Sequence, residues 1–250
     1  MLTYFLTDTG KVRSHNEDSV NIVKNDNKEV MLIVADGMGG HKAGEIASAI
    51  TVDHFTDSFL ERKTIGSKTD AINWLKKNIN EANDKILDYT KEHPESTGMG
   101  TTCVIALVTP DFLLFGNIGD SSGYVKKDGN LYKITHDHTL VNVLVEAGNL
   151  SEEEAQVHPR KNVLMKALGA HEKIEMDIFN VERTVDEVML CSDGLTNMLT
   201  NEQIEKVLNS NELTYKGKVN KLIRKSNARG GNDNISVAYL VLESGDDSDN

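Results

Sequence analysis

The stretch VMLIVADGMGGHKAGEIASAI, residues 30–50, runs from six apolar residues into an aspartate, a glycine-rich turn and a segment of helical character. Val30 to Ala35 is rich in β-branched residues and reads as a strand buried on both faces, so the charge of Asp36 at its end must be solvated, paired or bound to a metal. A phosphate-cradling loop fits poorly. No Gly-Lys-Ser/Thr follows, the Gly-x-Gly-x-x-Gly spacing is absent, and Asp36 would repel a phosphate. Two readings stay open from this stretch alone. Either Asp36 and Gly37 form a tight turn in water, or Asp36 is a metal ligand and Gly37 brings its own carbonyl to the same ion.

Composition bounds the choice. The chain has 250 residues and a net charge of −12, which argues against a nucleic-acid partner, because phosphate backbones are held by Lys and Arg clusters. A phosphorylated substrate would need a local cation. The two cysteines, Cys103 and Cys191, lie inside apolar runs and read as core thiols rather than disulfide or zinc partners. The start MLTYFLTDTGKVR lacks the basic and apolar regions of a signal, and no apolar run reaches membrane-spanning length, so the protein is expected in the cytoplasm without membrane insertion. No Pro-, Gly- or Ser-rich linker interrupts the chain, which predicts one domain over residues 1–242 and an acidic, disordered tail over 243–250.

Ile72, Leu75, Ile79, Ala82, Ile86 and Tyr89 recur three and four apart and predict a long amphipathic helix. A shorter helix is expected from near Ala43, burying Ile46, Ala47, Ile50 and Phe55, and capping boxes at Ser151 with Glu154 and Thr200 with Gln203 mark two further starts. Ten strands are predicted, among them 19–23, 30–35, 112–117, 174–182, 187–191 and 235–242, with a hairpin turn at Lys127 to Asn130.

The acids then fall into a pattern. Asp193 repeats the grammar of Asp36, a buried strand followed by Asp-Gly and a helix, and the strand at 112–117 is followed by Gly-Asp at Asp120. Glu17 and Asp18 precede the strand at 19–23, and Asp233 precedes the one at 235–242. If the first three strands run one way and the last two the other in antiparallel sheets, all these acids meet at one edge. An isolated Asp at a strand end is more often a turn or cap residue, but the same placement five times over makes coincidence a poor account. Unpaired carboxylates at such density repel unless cations lie between them. An all-oxygen set without Cys or His suits Mg2+ or Mn2+, and two such ions bridged by Asp36 could activate a water and clamp a transferring phosphoryl group.

The motifs RSHNEDS, VADGMGGHKAGE, MGTT, GNIGDS, HPRKNVLMKALG, CSDGL and GGNDNIS, in this order over the chain to about Leu242, resemble the metal-dependent Ser/Thr protein phosphatases of type 2C, also called PPM, in their bacterial single-domain branch. The resemblance implies an α+β fold, a four-layer α-β-β-α sandwich of two antiparallel sheets flanked by helices, and hydrolysis of phosphoserine and phosphothreonine in proteins without a covalent intermediate. It implies Asp36 as bridging ligand, Gly37 as carbonyl ligand, Asp193 and Asp233 on the first ion and Glu17 on the second, with Asp18 behind them. Asp120 resembles a ligand of a third, weaker ion. Arg13 is similar to the family's phosphate-binding arginine, a role suited to a guanidinium that forks onto two oxygens and stays charged. The segment from about His136 to Gly169 has the position of the family's flap, where Arg160 could face substrate. Expected partners are phosphorylated proteins, including a cognate Ser/Thr kinase that the enzyme opposes, and the protein is expected to be a monomer.

Two positions depart from the family pattern. Met38 stands where animal members carry the histidine that acts as general acid, which leaves His41 as a candidate donor to the leaving serine oxygen. Ser122 stands where the family usually has arginine, so the loop carrying Asp120 is expected to be held less firmly. A metal-dependent nuclease would use the same carboxylates but lacks a basic track for a polyanion. A non-catalytic phosphoprotein-binding relative would lack a ligand or the arginine, and neither is missing. A cysteine phosphatase is set aside because Thr109 and Asn197 stand where that chemistry needs arginine.

Overall fold

The computed structural model describes residues 1–40 and 43–242. The chain begins with β1 (Leu2–Asp8), β2 (Asp18–Lys24) and β3 (Val30–Met38), then folds into α1 (Ala43–Leu60) and α2 (Lys68–Glu92). There follow β4 (Gly100–Thr101), β5 (Cys103–Val108), β6 (Leu113–Ile118), β7 (Ser122–Lys127), β8 (Asn130–Lys133), α3 (Leu140–Glu146) and α4 (Glu152–Val157). The last part holds β9 (Asp177–Val181), β10 (Glu187–Cys191), α5 (Asp193–Thr196), α6 (Asn201–Leu208), α7 (Tyr215–Ala228) and β11 (Ile235–Val241).

These strands make two antiparallel sheets, one ordered β1-β11-β10-β7-β8 and the other β2-β3-β5-β6-β9, with β4 added beside the end of β3. Strand β3 shows why they stack. Its alternation sends Val30, Leu32 and Val34 into the apolar layer between the sheets, and Met31, Ile33 and Ala35 into the layer beneath α1 and α2. A third layer joins α6 and α7 to the outer face of the other sheet through Leu195, Ile204, Val219, Leu222 and Tyr239. The result is the expected α-β-β-α sandwich.

The long helix spans Lys68–Glu92 and starts at a Ser67–Asp70 capping box, as the periodicity predicts. The hairpin turn also stands where expected, with Asp128 at φ 51° and Gly129 at φ 82°, the left-handed pair that a two-residue hairpin needs. Three expectations require correction. In α1, Ile46 and Ile50 are only half-buried, because the helix turns Ala47, Ser48, Thr51 and Phe55 toward the sheet and admits its backbone closely through small residues. The strand expected over 174–182 is confined to Asp177–Val181, the residues opposite Leu113–Asn117 of β6, while Ile174 and Met176 enter the core before pairing begins. Helices α3 and α7 have no counterpart in the sequence reading. The proposed tail, residues 243–250, and His41 lie outside the described residues.

Candidate metal centre

The register of the two sheets carries the acids to one edge. Asp18, the first residue of β2, sits directly across from Asp36 of β3. Strands β3 and β6 are both antiparallel to β5 and so run the same way, which brings Asp120, two residues past β6, to the end occupied by Asp36. In the other sheet Cys191 pairs with Val237, so Asp193 leaves β10 where Asp233 is about to enter β11.

Each acid is held by its own backbone surroundings. The Asp36 N–H donates to Thr102 Oγ1 at 2.9 Å, and the Asp36 carbonyl accepts from Thr101 Oγ1 at 2.9 Å. The Gly37 N–H donates to the Glu17 carbonyl at 3.1 Å, and a Cβ on Gly37 would collide with the Gly44 carbonyl and with Glu17, so only glycine lets β3 and α1 approach this closely. Asp193 opens α5 and accepts from Asn197 Nδ2 at 2.9 Å. Arg13 Nη2 donates to Asp233 Oδ2 at 2.8 Å, and among the described residues it is the only basic side chain bonded to one of these acids.

Electrostatics set the character of the site. Burial, reinforced by Asp18, Asp193, Asp120 and Asp233, drives the Asp36 carboxyl well above the usual carboxylate range. Asp18 and Asp120 are each pushed up to about 7 by burial, with Asp193 as the main neighbouring charge on both. Burial and then Asp233 raise Asp193, and burial raises Glu17 against the pull of Arg13. Partial burial opposes the charge on Arg13, but Asp233, Glu17 and Asp36 hold it protonated more firmly than usual.

Such a cluster must bind protons or cations. Burial and the mutual repulsion of Asp18, Asp36 and Asp193 disfavour the ionised forms of these carboxyls when no counter-charge lies among them. Asp18 Oδ1 and Asp193 Oδ1 are buried without any partner. Among the described residues no three His, Cys, Asp or Glu side chains are gathered tightly enough to cage an ion as they stand. The donor set nonetheless fits hard divalent ions: all oxygen and strongly anionic, with one carboxylate oxygen each of Asp18 and Asp193 buried and without a partner.

The sequence reading assigns no task to several residues that build this edge. Asn234 is buried and accepts from the Glu17 N–H at 2.8 Å while donating to the carbonyls of Thr9 and His15 at 2.9 Å each. One side chain thus ties the 9–17 segment, with Arg13 and Glu17, to the entrance of β11. Ser192 Oγ donates to Asp18 Oδ2 at 2.7 Å and receives the Ser236 N–H at 2.9 Å, bridging the two sheets. The buried Ser122 Oγ has no partner and gives the Asp120 loop nothing. The loop is nevertheless bonded on both sides, through Gly119 to His138 and through Ser121 to Thr102. Arg160 is exposed; its backbone N–H donates to His158 Nδ1 at 3.1 Å and its carbonyl accepts from the Val163 N–H at 3.2 Å.

Comparison with known proteins agrees with this architecture. A family model described as protein phosphatase 2C matches residues 10–235. The chain is 41% identical to the serine/threonine phosphatase stp of Listeria innocua over 237 residues, 94% of each protein. The solved serine/threonine phosphatase of S. agalactiae superimposes with a TM-score of 0.91 at 37% identity, covering 97% of this chain and 99% of that one. The catalytic domain of the serine/threonine protein phosphatase PstP, solved in complex with two manganese ions, gives a TM-score of 0.84 at 32% identity, covering 97% and 98%.

Proposed function

This chain belongs to the protein phosphatase 2C family and is a metal-dependent protein-serine/threonine phosphatase, and we propose that its ions are held by Glu17, Asp36, Gly37, Asp193 and Asp233. Asp36 would be shared by two tightly bound ions, Mn2+ or Mg2+, and Asp120 would serve a third, weaker one. The observation that supports this reading is the convergence of Asp18, Asp36, Asp193 and Asp233 at one edge of the two sheets, with Asp18 Oδ1 and Asp193 Oδ1 buried and without a partner. When bound, the ions supply Lewis acidity and activate the water that attacks phosphorus.

The protein's own groups do the rest. The half-exposed Arg13 guanidinium stands at the rim, beside Asp233, where it forks onto the phosphoryl oxygens of an incoming phosphoprotein. Asn234 fixes the segment that carries it. His41 donates a proton to the departing serine or threonine oxygen. Neither cysteine competes as nucleophile: both thiols are buried, and burial pushes Cys191 up to about 12. The physiological substrates are phosphoproteins made by a Ser/Thr kinase that this enzyme opposes. Among the described residues no helix is long and apolar enough to cross a membrane.

Parallel hydrolysis of a phosphothreonine peptide, a phosphotyrosine peptide and a bis-phosphodiester, with and without chelator, tests the reading. Turnover of the phosphothreonine peptide that chelator abolishes and Mn2+ restores is expected. A preference for the diester would replace it with a nuclease-like activity.

A further inference from the structure

We propose that His138 is a positioning residue that holds the Gly119–Asp120 turn, and that Asp177 links it to Lys166 of the flap. The inference rests on the reading of Asp120 as an ion ligand.

His138 grips Gly119 from both sides of one residue. Its backbone N–H donates to the Gly119 carbonyl at 2.9 Å, and its Nδ1 accepts from the Gly119 N–H at 3.1 Å. An Nδ1 that accepts cannot carry a proton, so the ring proton resides on Nε2, which lies 3.0 Å from Asp177 Oδ2 and donates to it. Asp177 therefore fixes the tautomer that the Gly119 bond requires. The other Asp177 oxygen accepts from Lys166 Nζ at 3.1 Å, so a flap residue shares the same carboxylate. The imidazole is mostly buried, with 11% of its side chain exposed, and cannot trade these partners freely for water.

Gly119 needs such a grip. It sits at φ 96°, and a Cβ there would press into Thr102. On the far side of Asp120, Ser121 Oγ and Thr102 Oγ1 share a hydrogen bond of 2.7 Å, and the same Thr102 oxygen receives the Asp36 N–H. Asp120 is thus bracketed by Thr102, which registers it against Asp36, and by His138, which registers it against β9 and the flap. The Ser122 hydroxyl has no partner, so on this side of the turn the side-chain anchor comes from His138.

The test compares His138→Ala, His138→Asn and Asp177→Ala with the wild-type chain. Hydrogen exchange at the Gly119 amide, measured in metal-free protein, reads the grip without reference to activity. Exchange should accelerate about tenfold or more in His138→Ala, the size expected for one lost hydrogen bond, while amides within β6 keep their rates. It should stay closer to wild type in His138→Asn, whose Oδ1 can replace Nδ1 as acceptor. In phosphopeptide turnover, His138→Ala should need about tenfold more Mn2+ for half-maximal rate, with calorimetric binding of the tight ions unchanged. Asp177→Ala should shift in the same direction by less. Unchanged Gly119 exchange in His138→Ala overturns the positioning role, as does parallel loss of the tight ions. Altered exchange with an unaltered metal requirement leaves His138 in place but removes Asp120 from the ion site, and so overturns the proposal through the reading on which it rests.

Discussion

Asp18 and Asp36 face each other across the β2–β3 ladder, and Asp18 is anchored from the opposite sheet by the Ser192 hydroxyl at 2.7 Å. Burial pushes Asp18 up to about 7, against about 3.9 for a carboxyl in an unfolded chain. The folded state therefore holds more protons than the unfolded state, and stability present at low pH is lost as pH rises from about 4 through about 7. Asp120 acts in the same direction.

On the proposed ligand assignment, bound cations would take the place of those protons. The rise in Tm caused by saturating Mn2+ should thus be larger at pH 8 than at pH 5.5, by about 4 °C or more for a chain of this size. His54, which burial lowers, favours higher pH below about 6.5, but it is present with and without the ion and cancels in the difference. Scanning calorimetry at the two pH values decides the matter, and an equal or smaller rise at pH 8 counts against cation binding by these carboxylates.

Arg13→Ala should raise KM for a phosphothreonine peptide about tenfold or more, the loss of a charge-assisted clamp, while kcat falls less. Tight-ion affinity should not fall, since the variant also releases Asp233 from its 2.8 Å ion pair. Steady-state kinetics with calorimetry separates the two effects. An unchanged KM points to another phosphate ligand.

The convergence of acids at one edge was legible because it depends on strand direction, and each acid lies within two residues of a run whose apolar character is unmistakable. What supports them was hidden for a physical reason. Asn234 and His138 act through contacts to residues 217 and 19 positions away, respectively, and no local periodicity marks a side chain whose partners are distant backbone atoms. Helix α7 escaped because Lys216, Lys218, Lys221 and Lys225 crowd its short apolar face of Val219, Leu222 and Ile223, and packing against the sheet beneath completes it. Strand β9 was overextended because apolar residues at 174 and 176 serve the helical layer, not the ladder.

Asn234→Ala should lower stability by about 1 kcal/mol or more, since it leaves the part-buried backbone groups of Thr9, His15 and Glu17 without their partner. Activity should fall further than that loss explains, through a raised KM and a weakened second ion, because Arg13 and Glu17 ride on the freed segment. Asn234→Asp keeps the acceptor for Glu17 and should retain more ion affinity than Asn234→Ala. Equal ion affinity in the two variants removes Asn234 from the support of Glu17.

His41→Ala should reduce kcat for a phosphoserine peptide by about a hundredfold and spare an activated aryl phosphate, whose leaving group needs no proton. Equal losses on both substrates remove His41 from the acid role.

The central claim is that Asp36 joins two ions at the meeting edge of the sheets. Titration of Mn2+ into metal-free wild-type protein and into Asp36→Asn, with phosphothreonine-peptide turnover measured on the same samples, tests it most directly. Wild type should bind two ions tightly and turn over. Asp36→Asn should fold with an unchanged circular dichroism spectrum, lose tight binding of both ions and show no turnover at any reachable Mn2+ concentration. Two ions bound with wild-type affinity, or wild-type turnover in saturating Mn2+, would contradict the assignment of Asp36 as the bridge.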